Sequence, residues 1–160
     1  NKMAAAGKWK LYERAKKNLI SGAIDLDTDA FRINLYLSTS NADTLTDATI
    51  NDMGDITNEV ATNYGYTQGA KTVTLSISQS GGTMTIDETT NPVWTAAGGA
   101  ITARFAVIYK YVDGTPANNT PLCVCLLDTA PADVTATDGN TLTITMNASG
   151  IFTLSGADSN

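Results

Sequence analysis

The sequence predicts an all-β fold, a β-sandwich or jelly-roll-like body that follows a short N-terminal amphipathic helical arm. Threonine supplies 25 of the 160 residues, and its β-branched side chain favours strands. From residue 70 onward, short alternating apolar segments are separated by glycine turns, as in sandwiches and jelly rolls. Helical periodicity is confined to the first third of the chain. We therefore place the arm at residues 1–22 and the body at residues 23–160.

The charge of the chain is divided unevenly between these two parts. Six of the ten basic residues and one acid fall within the first seventeen positions, a formal charge of +5. The other 143 residues carry −11, which gives the −6 of the whole chain. An acidic body lacks the cations that nucleic-acid binding requires, so we expect no nucleic-acid partner. A cationic arm on such a body is suited to an acidic protein surface.

Residues 8–20 have the pattern of an amphipathic helix. Leu11, Ala15 and Leu19 recur at helical spacing on one face, and Gly22 follows as the expected left-handed cap. The helix could pack on its own body, lie on a membrane surface, or bind a neighbouring chain. We predict the last, with an arm extended from the body. The residues that would then bind a partner are Lys8, Trp9, Lys10, Leu11, Tyr12, Arg14, Lys16 and Lys17.

An Asp-x-Asp-x-Asp run begins at Asp25, as in the first half of a calcium-binding loop. The full loop then requires glycine at its sixth position and glutamate at its twelfth. This chain has Ala30 and Tyr36 at those positions. We therefore predict an exposed turn, and no metal or other cofactor.

The segments after this turn predict a strand, a short helix and a loop. Apolar side chains alternate over residues 31–37, which predicts a strand with one buried face. The spacing over residues 44–53 predicts a short helix. Tyr64 and Tyr66 flank a glycine in the loop, where they could contact a carbohydrate or peptide, or pack against the body. A carbohydrate or receptor module would need an exposed aromatic cleft around them or Trp94.

The rest of the chain predicts strands. Gly81-Gly82 predicts the tight turn of a hairpin, and the proline that opens residues 92–95 predicts an edge strand. The long apolar run over residues 101–112 predicts one central strand. Residues 122–127 are apolar on both faces, which predicts burial between two layers. Two more alternating segments, ending at Leu154, complete the sheet.

The residue types that most enzymes use are scarce. Histidine is absent, which removes the commonest general base and metal ligand. Cys123 and Cys125 share one strand face at a separation of ~6.5–7 Å, too far for an ordinary disulfide, and predict two small buried side chains. No phosphate-binding loop or nucleophile elbow is present. The sequence therefore predicts no enzyme, and no apolar stretch approaches the ~20 residues of a membrane span.

Several segments together resemble a family of small virion proteins from tailed bacteriophages. They are Gly7–Lys17, Ser38–Asn41, Ile56–Val60, Tyr64–Tyr66, Val93–Tyr109 and Gly150–Leu154. The resemblance spans most of the chain and implies a structural protein located in the virion. It implies no catalytic residues.

Within that family we expect a capsid cement (decoration) protein that binds the major capsid protein. A neck, tail or tail-fibre component is the second expectation, and a receptor- or carbohydrate-binding module is a third. Symmetric particles multiply weak contacts, so modest affinity per copy suffices. We expect a homo-oligomer, a dimer or a trimer, and partners among the other virion proteins.

Overall fold

Strands dominate the computed structural model, which describes residues 6–156. The strands of this part are β1 (Lys10–Leu11), β2 (Phe31–Tyr36), β3 (Thr72–Val73), β4 (Leu75–Ser80), β5 (Thr83–Glu88), β6 (Val93–Thr95), β7 (Ile101–Ala103), β8 (Phe105–Lys110), β9 (Thr120–Leu126), β10 (Val134–Ala136), β11 (Thr141–Thr143) and β12 (Phe152–Ser155). The helices are α1 (Glu13–Ser21) and two single-turn 3-10 helices, Met53–Asp55 and Pro116–Asn118. Antiparallel pairing joins the strands into several sheets beside one short α-helix, so the all-β prediction is confirmed. Residues 1–5 of the predicted arm and residues 157–160 of the predicted body lie outside the described residues.

The largest sheet has five strands in the order β1-β9-β8-β2-β3. Residues 121–125 of β9 are all buried, so both faces of this segment are covered. Strand β2 was expected to bury one face only, but Asn34 and Tyr36 on its second face are also buried. The chain returns to the edge of β2 here, because Val60 N donates to Leu35 O (2.9 Å) and Glu59 pairs with Tyr36. Met53, Ile56 and Glu59 then line a cavity together with the second face of the strand.

The predicted hairpin is present in β4 and β5. Ser80 pairs with Thr83, so the loop consists of Gly81 and Gly82 alone. Their φ values are +54° and +79°, the left-handed pair that a two-residue type I′ turn needs. Strand β12 pairs with the other edge of β5 and completes a three-stranded sheet.

Two short sheets of two strands each, β10-β7 and β11-β6, complete the architecture. Strand β6 pairs with β11 alone, which confirms the edge strand expected after Pro92. The single strand expected over residues 101–112 is interrupted at Arg104. There the backbone changes partners, because β7 pairs with β10 whereas Arg104 N donates to Tyr36 O (2.8 Å) in the large sheet.

The helix predicted for residues 44–53 is wrong. Only a turn forms at residues 47–49, with Ile50 N donating to Thr46 O (3.0 Å). Side chains here satisfy backbone groups that a helix would use, since the Asp55 carboxylate accepts from Asn51 N (2.8 Å) and Asp52 N (3.3 Å). Short polar side chains compete with helical hydrogen bonds in this way.

Candidate attachment surfaces

The N-terminal segment, residues 6–22, follows the outer edge of β9 from Gly7 to Tyr12. Gly7 N donates to Leu126 O (2.7 Å) at one end, and Tyr12 N donates to Leu122 O (3.1 Å) at the other. Strand β1 pairs with β9 between these two bonds. The prediction of a helix over residues 8–20 that extends from the body is therefore wrong in two respects. The segment packs on the body, and the helix starts later than residue 8. Helix α1 begins only at Glu13.

A period-two pattern explains why this segment starts as a strand. Exposed and half-buried side chains alternate through Lys8, Trp9, Lys10 and Leu11. This alternation is typical of a strand with one face on the core, and pairing also covers an edge of β9 that would otherwise be exposed. The predicted end of the helix is confirmed, because Gly22 has a φ of +76° and donates its N–H to Leu19 O (3.4 Å).

Tyr12 fixes the junction between β1 and α1. Its side chain is 0% exposed, and its hydroxyl donates to the carbonyl of Ala42 (2.6 Å). Ala15, one turn further on, is also fully buried. These contacts make the segment part of the core: Tyr12 is inaccessible to a partner, whereas Leu11 is half-buried against the core.

Acids of the neighbouring loop already pair with two of the expected partner-binding cations. Lys10 Nζ lies 3.2 Å from Asp43 Oδ1, and Arg14 Nε lies 2.5 Å from Asp47 Oδ1. Lys8, Lys16 and Lys17 are exposed and form no ion pair with another described residue.

Helix α1 keeps a small outward surface, which we call the cationic face. It consists of Lys16, Lys17 and Ile20, the last of which is 90% exposed. Ile20 lies four residues after Lys16 and three after Lys17, so its side chain neighbours both lysines on the helix surface. The face is fixed to the body, because Ala15 on the other side of the helix is buried.

The three-stranded sheet carries a second surface, which we call the apolar sheet face. It consists of Ile77, Met84 and Leu154, which are 41%, 36% and 56% exposed. The register places them together: Ile77 lies opposite Ile86, and Met84 and Leu154 lie opposite each other in the next row. The opposite side of the same strands carries exposed serine and threonine, including Ser78, Ser80 and Thr153. A cluster of exposed apolar side chains of this kind is typical of a binding surface.

Within residues 6–156, Tyr64, Tyr66 and Trp94 do not form an exposed cleft. Tyr66 and Trp94 are buried, with their ring centroids 6.1 Å apart, so Tyr66 packs against the body, the second of the two alternatives. Tyr64 is 43% exposed, but its ring lies against Gly99, where an added Cβ would be 2.4 Å from the ring atoms. The structure thus supplies one exposed tyrosine in place of the platform that a carbohydrate module at this loop would need.

Tyr66 ties its loop to the large sheet. Its hydroxyl accepts from Leu35 N (2.9 Å) and donates to Glu59 Oε1 (2.7 Å), and Gly69 N donates to the same carboxylate oxygen (3.2 Å). Burial raises the pKa of Glu59, although these two hydrogen bonds oppose the shift. The pKa of Tyr66 is also raised, by burial first and by the Glu59 charge second, so its hydroxyl stays protonated.

Glu59→Gln will change the pH dependence of stability. Between the ordinary glutamate pKa of 4.5 and the raised folded-state pKa, the folded protein holds a proton that the unfolded chain has released. Its free energy of unfolding therefore falls as pH rises through this interval, and glutamine removes that fall. We therefore expect the free energy of unfolding of the variant, minus that of the original protein, to increase with pH when both are measured by urea unfolding at a series of pH values.

Asp25→Asn is the control with the opposite sign. The Asp25 carboxylate accepts from Asp27 N (2.9 Å), and this bond is the first cause that lowers the pKa of Asp25. The free energy of unfolding of the original protein therefore rises with pH as the Asp25 carboxyl group ionises, and that of the variant lacks this rise. The difference, variant minus original, falls with pH. If Glu59→Gln and Asp25→Asn gave slopes of the same sign, the assignment of a raised pKa to Glu59 would be incorrect.

The remaining candidate positions carry no site. Asp25 and Asp27 are exposed, as predicted, and Asp29 Oδ2 lies 2.8 Å from Lys110 Nζ. Within residues 6–156, no three His, Cys, Asp or Glu side chains are grouped to hold a metal ion.

The cysteines are buried free thiols, as predicted, and burial raises the pKa of Cys125 to about 12. In the same range, no helix is long and apolar enough to cross a membrane.

Comparison with protein-family models, with curated proteins and with solved structures finds no match to this chain. The surfaces just described are therefore interpreted from their own geometry and chemistry.

Proposed function

We propose that this chain is a structural protein of tailed-bacteriophage virions, a capsid cement (decoration) protein that binds the major capsid protein and stabilises the head. The observation that carries the proposal is the apolar sheet face. Three exposed apolar side chains stand together on a regular sheet, whereas the other side of the same strands is serine- and threonine-rich. Water-exposed apolar area of this kind is stabilised when a partner covers it.

The chemistry of the apolar sheet face favours a protein partner. Its rows contain Gln79 and apolar side chains, and the one acid on this side, Glu88, is buried. Nucleic acid or an anionic membrane surface would require cations at the contact, and this face has none among its described residues. An uncharged protein surface fits it. Repetition over a symmetric capsid then gives tight attachment from a small contact per copy.

The cationic face has a secondary role in this proposal. Lys16 and Lys17 are held in fixed positions on α1 and can approach acidic side chains of the capsid protein. Exposed charges are screened beyond about 8 Å at physiological salt, so they assist encounter more than they hold the complex. The arm of the sequence-based prediction is thus replaced by a rigid charged patch.

We also propose a sandwich or jelly-roll relation among the sheets, and self-association into a dimer or trimer. The support for the first is that strands β2, β8 and β9 are buried on both faces, as a sheet between two layers would be. The support for the second is that β4 and β12 are the edge strands of the three-stranded sheet, where a second copy can add.

The test is co-sedimentation with phage heads purified without this protein. The variant carries Ile77→Asp, Met84→Asp and Leu154→Asp, which place three charges in the proposed contact. We expect binding to weaken by about a hundredfold or more, because three buried apolar side chains each contribute roughly 1–2 kcal/mol. Lys16→Glu with Lys17→Glu should weaken binding less, and mainly at low salt.

The matched control carries Ser78→Asp, Ser80→Asp and Thr153→Asp. It places three charges on the opposite side of the same strands, at exposed positions. Full binding by the control and none by the first variant supports the proposal. Equal loss in both variants, or no binding of the original chain to heads, contradicts it. Analytical ultracentrifugation of both variants without heads shows whether the same face joins copies of the chain.

A further inference from the structure

Strand β4 is the longest open sheet edge in the part of the chain that the structure describes. It has six residues and pairs with β5 on one side, whereas no described strand pairs with its other side. The other edge strands of the described sheets have two to four residues. The unpaired N–H and C=O groups of such an edge are a template on which another strand can add.

The open backbone groups of β4 belong to alternate residues. Thr89 N donates to Thr74 O (3.0 Å), so these two residues are a hydrogen-bonded pair of the antiparallel ladder. The alternation along the ladder then directs the bonds of the even-numbered residues to β5 and leaves those of the odd-numbered residues open. The residues with open N–H and C=O groups are Leu75, Ile77 and Gln79.

This edge lacks the features that usually prevent another strand from pairing. Residues 72–80 include no charged residue and no proline, and the register between β4 and β5 runs without a shift. Natural edge strands are commonly blocked by charges, proline, bulges or a very short length. The edge is neutral although the whole chain carries a formal charge of −6. It is therefore suited to receive a strand.

We propose that β4 pairs with β4 of a second copy of this chain, antiparallel about a two-fold axis at Ile77. The register places Ile77 of one copy opposite Ile77 of the other, and Leu75 of each copy opposite Gln79 of the other. Each of these pairs exchanges two backbone hydrogen bonds, about six in all, so every open group of the edge is satisfied. The two three-stranded sheets become one continuous sheet of six strands.

The side chains of β4 fit a second copy of the same strand. On one side of the sheet the register brings two Ile77 side chains together, an apolar cross-strand pair. On the other side it places Ser76 opposite Ser78, which are both small, exposed hydroxyl residues. A two-fold contact repeats each residue, so a charged edge would bring like charges together, and the neutral β4 avoids this repulsion. A second copy supplies the matching strand by symmetry alone.

Pairing also enlarges the apolar sheet face. Ile77, Met84 and Leu154 lie on one side of the three-stranded sheet, and pairing at β4 continues this side into the second copy. The dimer therefore presents the apolar sheet faces of both copies side by side. This use of the dimer rests on the proposed function, and it makes the dimer the form that attaches to the capsid protein.

The test is disulfide cross-linking of the full chain without phage heads, together with sedimentation velocity of the original protein. Opposed Cα atoms of a hydrogen-bonded pair lie about 5.5 Å apart, which a disulfide can span. We expect the original protein to sediment with twice the mass of one chain. Mild oxidation should convert most of the Ile77→Cys variant to a covalent dimer. The native Cys123 and Cys125 are buried and should not react.

Gln79→Cys is the matched control, because it places a cysteine on the same face of the same strand. In the proposed register the two Gln79 positions are separated by four residues along the strands, roughly 13 Å, which is too far for a disulfide. Gln79→Pro removes one open N–H group and no bond to β5. It should weaken dimerisation at least about tenfold, because each copy loses a hydrogen bond.

Met84→Asp with Leu154→Asp separates edge pairing from association through the apolar sheet face. These substitutions lie on β5 and β12, so the dimer and its cross-link through Ile77→Cys should both persist. The inference is overturned by a monomeric original protein, by equal cross-linking of Ile77→Cys and Gln79→Cys, or by loss of the dimer in this double variant. Cross-linking of Ile77→Cys only to the capsid protein, when heads are added, also overturns it.

The inference and the proposed function can fail separately. A dimer that does not bind phage heads contradicts the proposed function and leaves the pairing of β4 intact. A monomer that binds heads contradicts the pairing and leaves the proposed function intact.

Discussion

Tyr12→Ala will lower the free energy of unfolding by about 4 kcal/mol, the range measured for removing a large buried ring. The ring is completely buried between α1, β9 and the loop at Ala42. Its removal leaves a cavity and also leaves the Ala42 carbonyl without its 2.6 Å hydrogen bond. The effect is large because the N-terminal segment is part of the core. Urea unfolding followed by circular dichroism measures it directly.

Two further variants separate the contributions of the ring and of the hydroxyl group to this loss of stability. Tyr12→Phe keeps the ring and removes the hydroxyl, and should cost about 1–3 kcal/mol for the unpaired carbonyl. Ile20→Ala removes an apolar side chain of the same helix that is 90% exposed, and should change stability by less than about 0.5 kcal/mol. If Tyr12→Ala were as mild as Ile20→Ala, the segment would be detached from the body in solution, and a free arm would again explain the charge distribution.

Gly65→Ala will destabilise the protein by about 3 kcal/mol or more. The residue has a φ of +89°, which alone costs an alanine about 1–2 kcal/mol. An added Cβ would also lie 2.0 Å from the carbonyl oxygen of Thr95, a backbone atom that cannot rotate away. Overpacking of this kind adds about 1–3 kcal/mol. Thermal unfolding, monitored through the buried Trp94 beside this loop, measures the loss.

Gly22→Ala is the matched control for this substitution. Gly22 also has a positive φ, +76°, but an added Cβ there meets nothing within 4 Å. It should therefore cost only the backbone strain, about 1–2 kcal/mol. Equal losses in the two variants would show that strain alone matters, and that the close approach of Gly65 to Thr95 relaxes without cost.

Local patterns predicted the elements whose partners are close in sequence. Gly81-Gly82 marks the hairpin because the two-residue turn that joins β4 to β5 has a positive φ at both positions. Gly22 marks the end of α1 for the same conformational reason. The continuous apolar run of β9 correctly indicated burial on both faces. Each of these signals is contained within a few residues and needs no distant contact.

Elements determined by distant partners were missed. Residues 8–11 have both a helical and a period-two pattern, and pairing with β9 decides in favour of the strand. The break at Arg104 depends on β10, which takes β7 into another sheet. Neither choice can be derived from the residues themselves, because the energy that decides it comes from the partner strand.

The candidate sites show the same limit. The alternation of β4, β5 and β12 was visible, but the position of their apolar side relative to the core was not, so the apolar sheet face was missed. Arg32 and Asn34 appear in the sequence as the solvent side of an amphipathic strand. They line a cavity because Met53, Ile56 and Glu59 are brought to the same place from a distant part of the chain, and no local pattern predicts that approach.

The pairing of the first strand with β9 has a consequence for biosynthesis. Lys10 leaves the ribosome well before its register partner Val124 is made. The nascent chain must therefore keep Trp9, Leu11 and Tyr12 unpartnered until β9 has emerged. Contacts between such distant positions slow folding. We expect this delay to make the growing chain dependent on chaperones that shield residues 9–12.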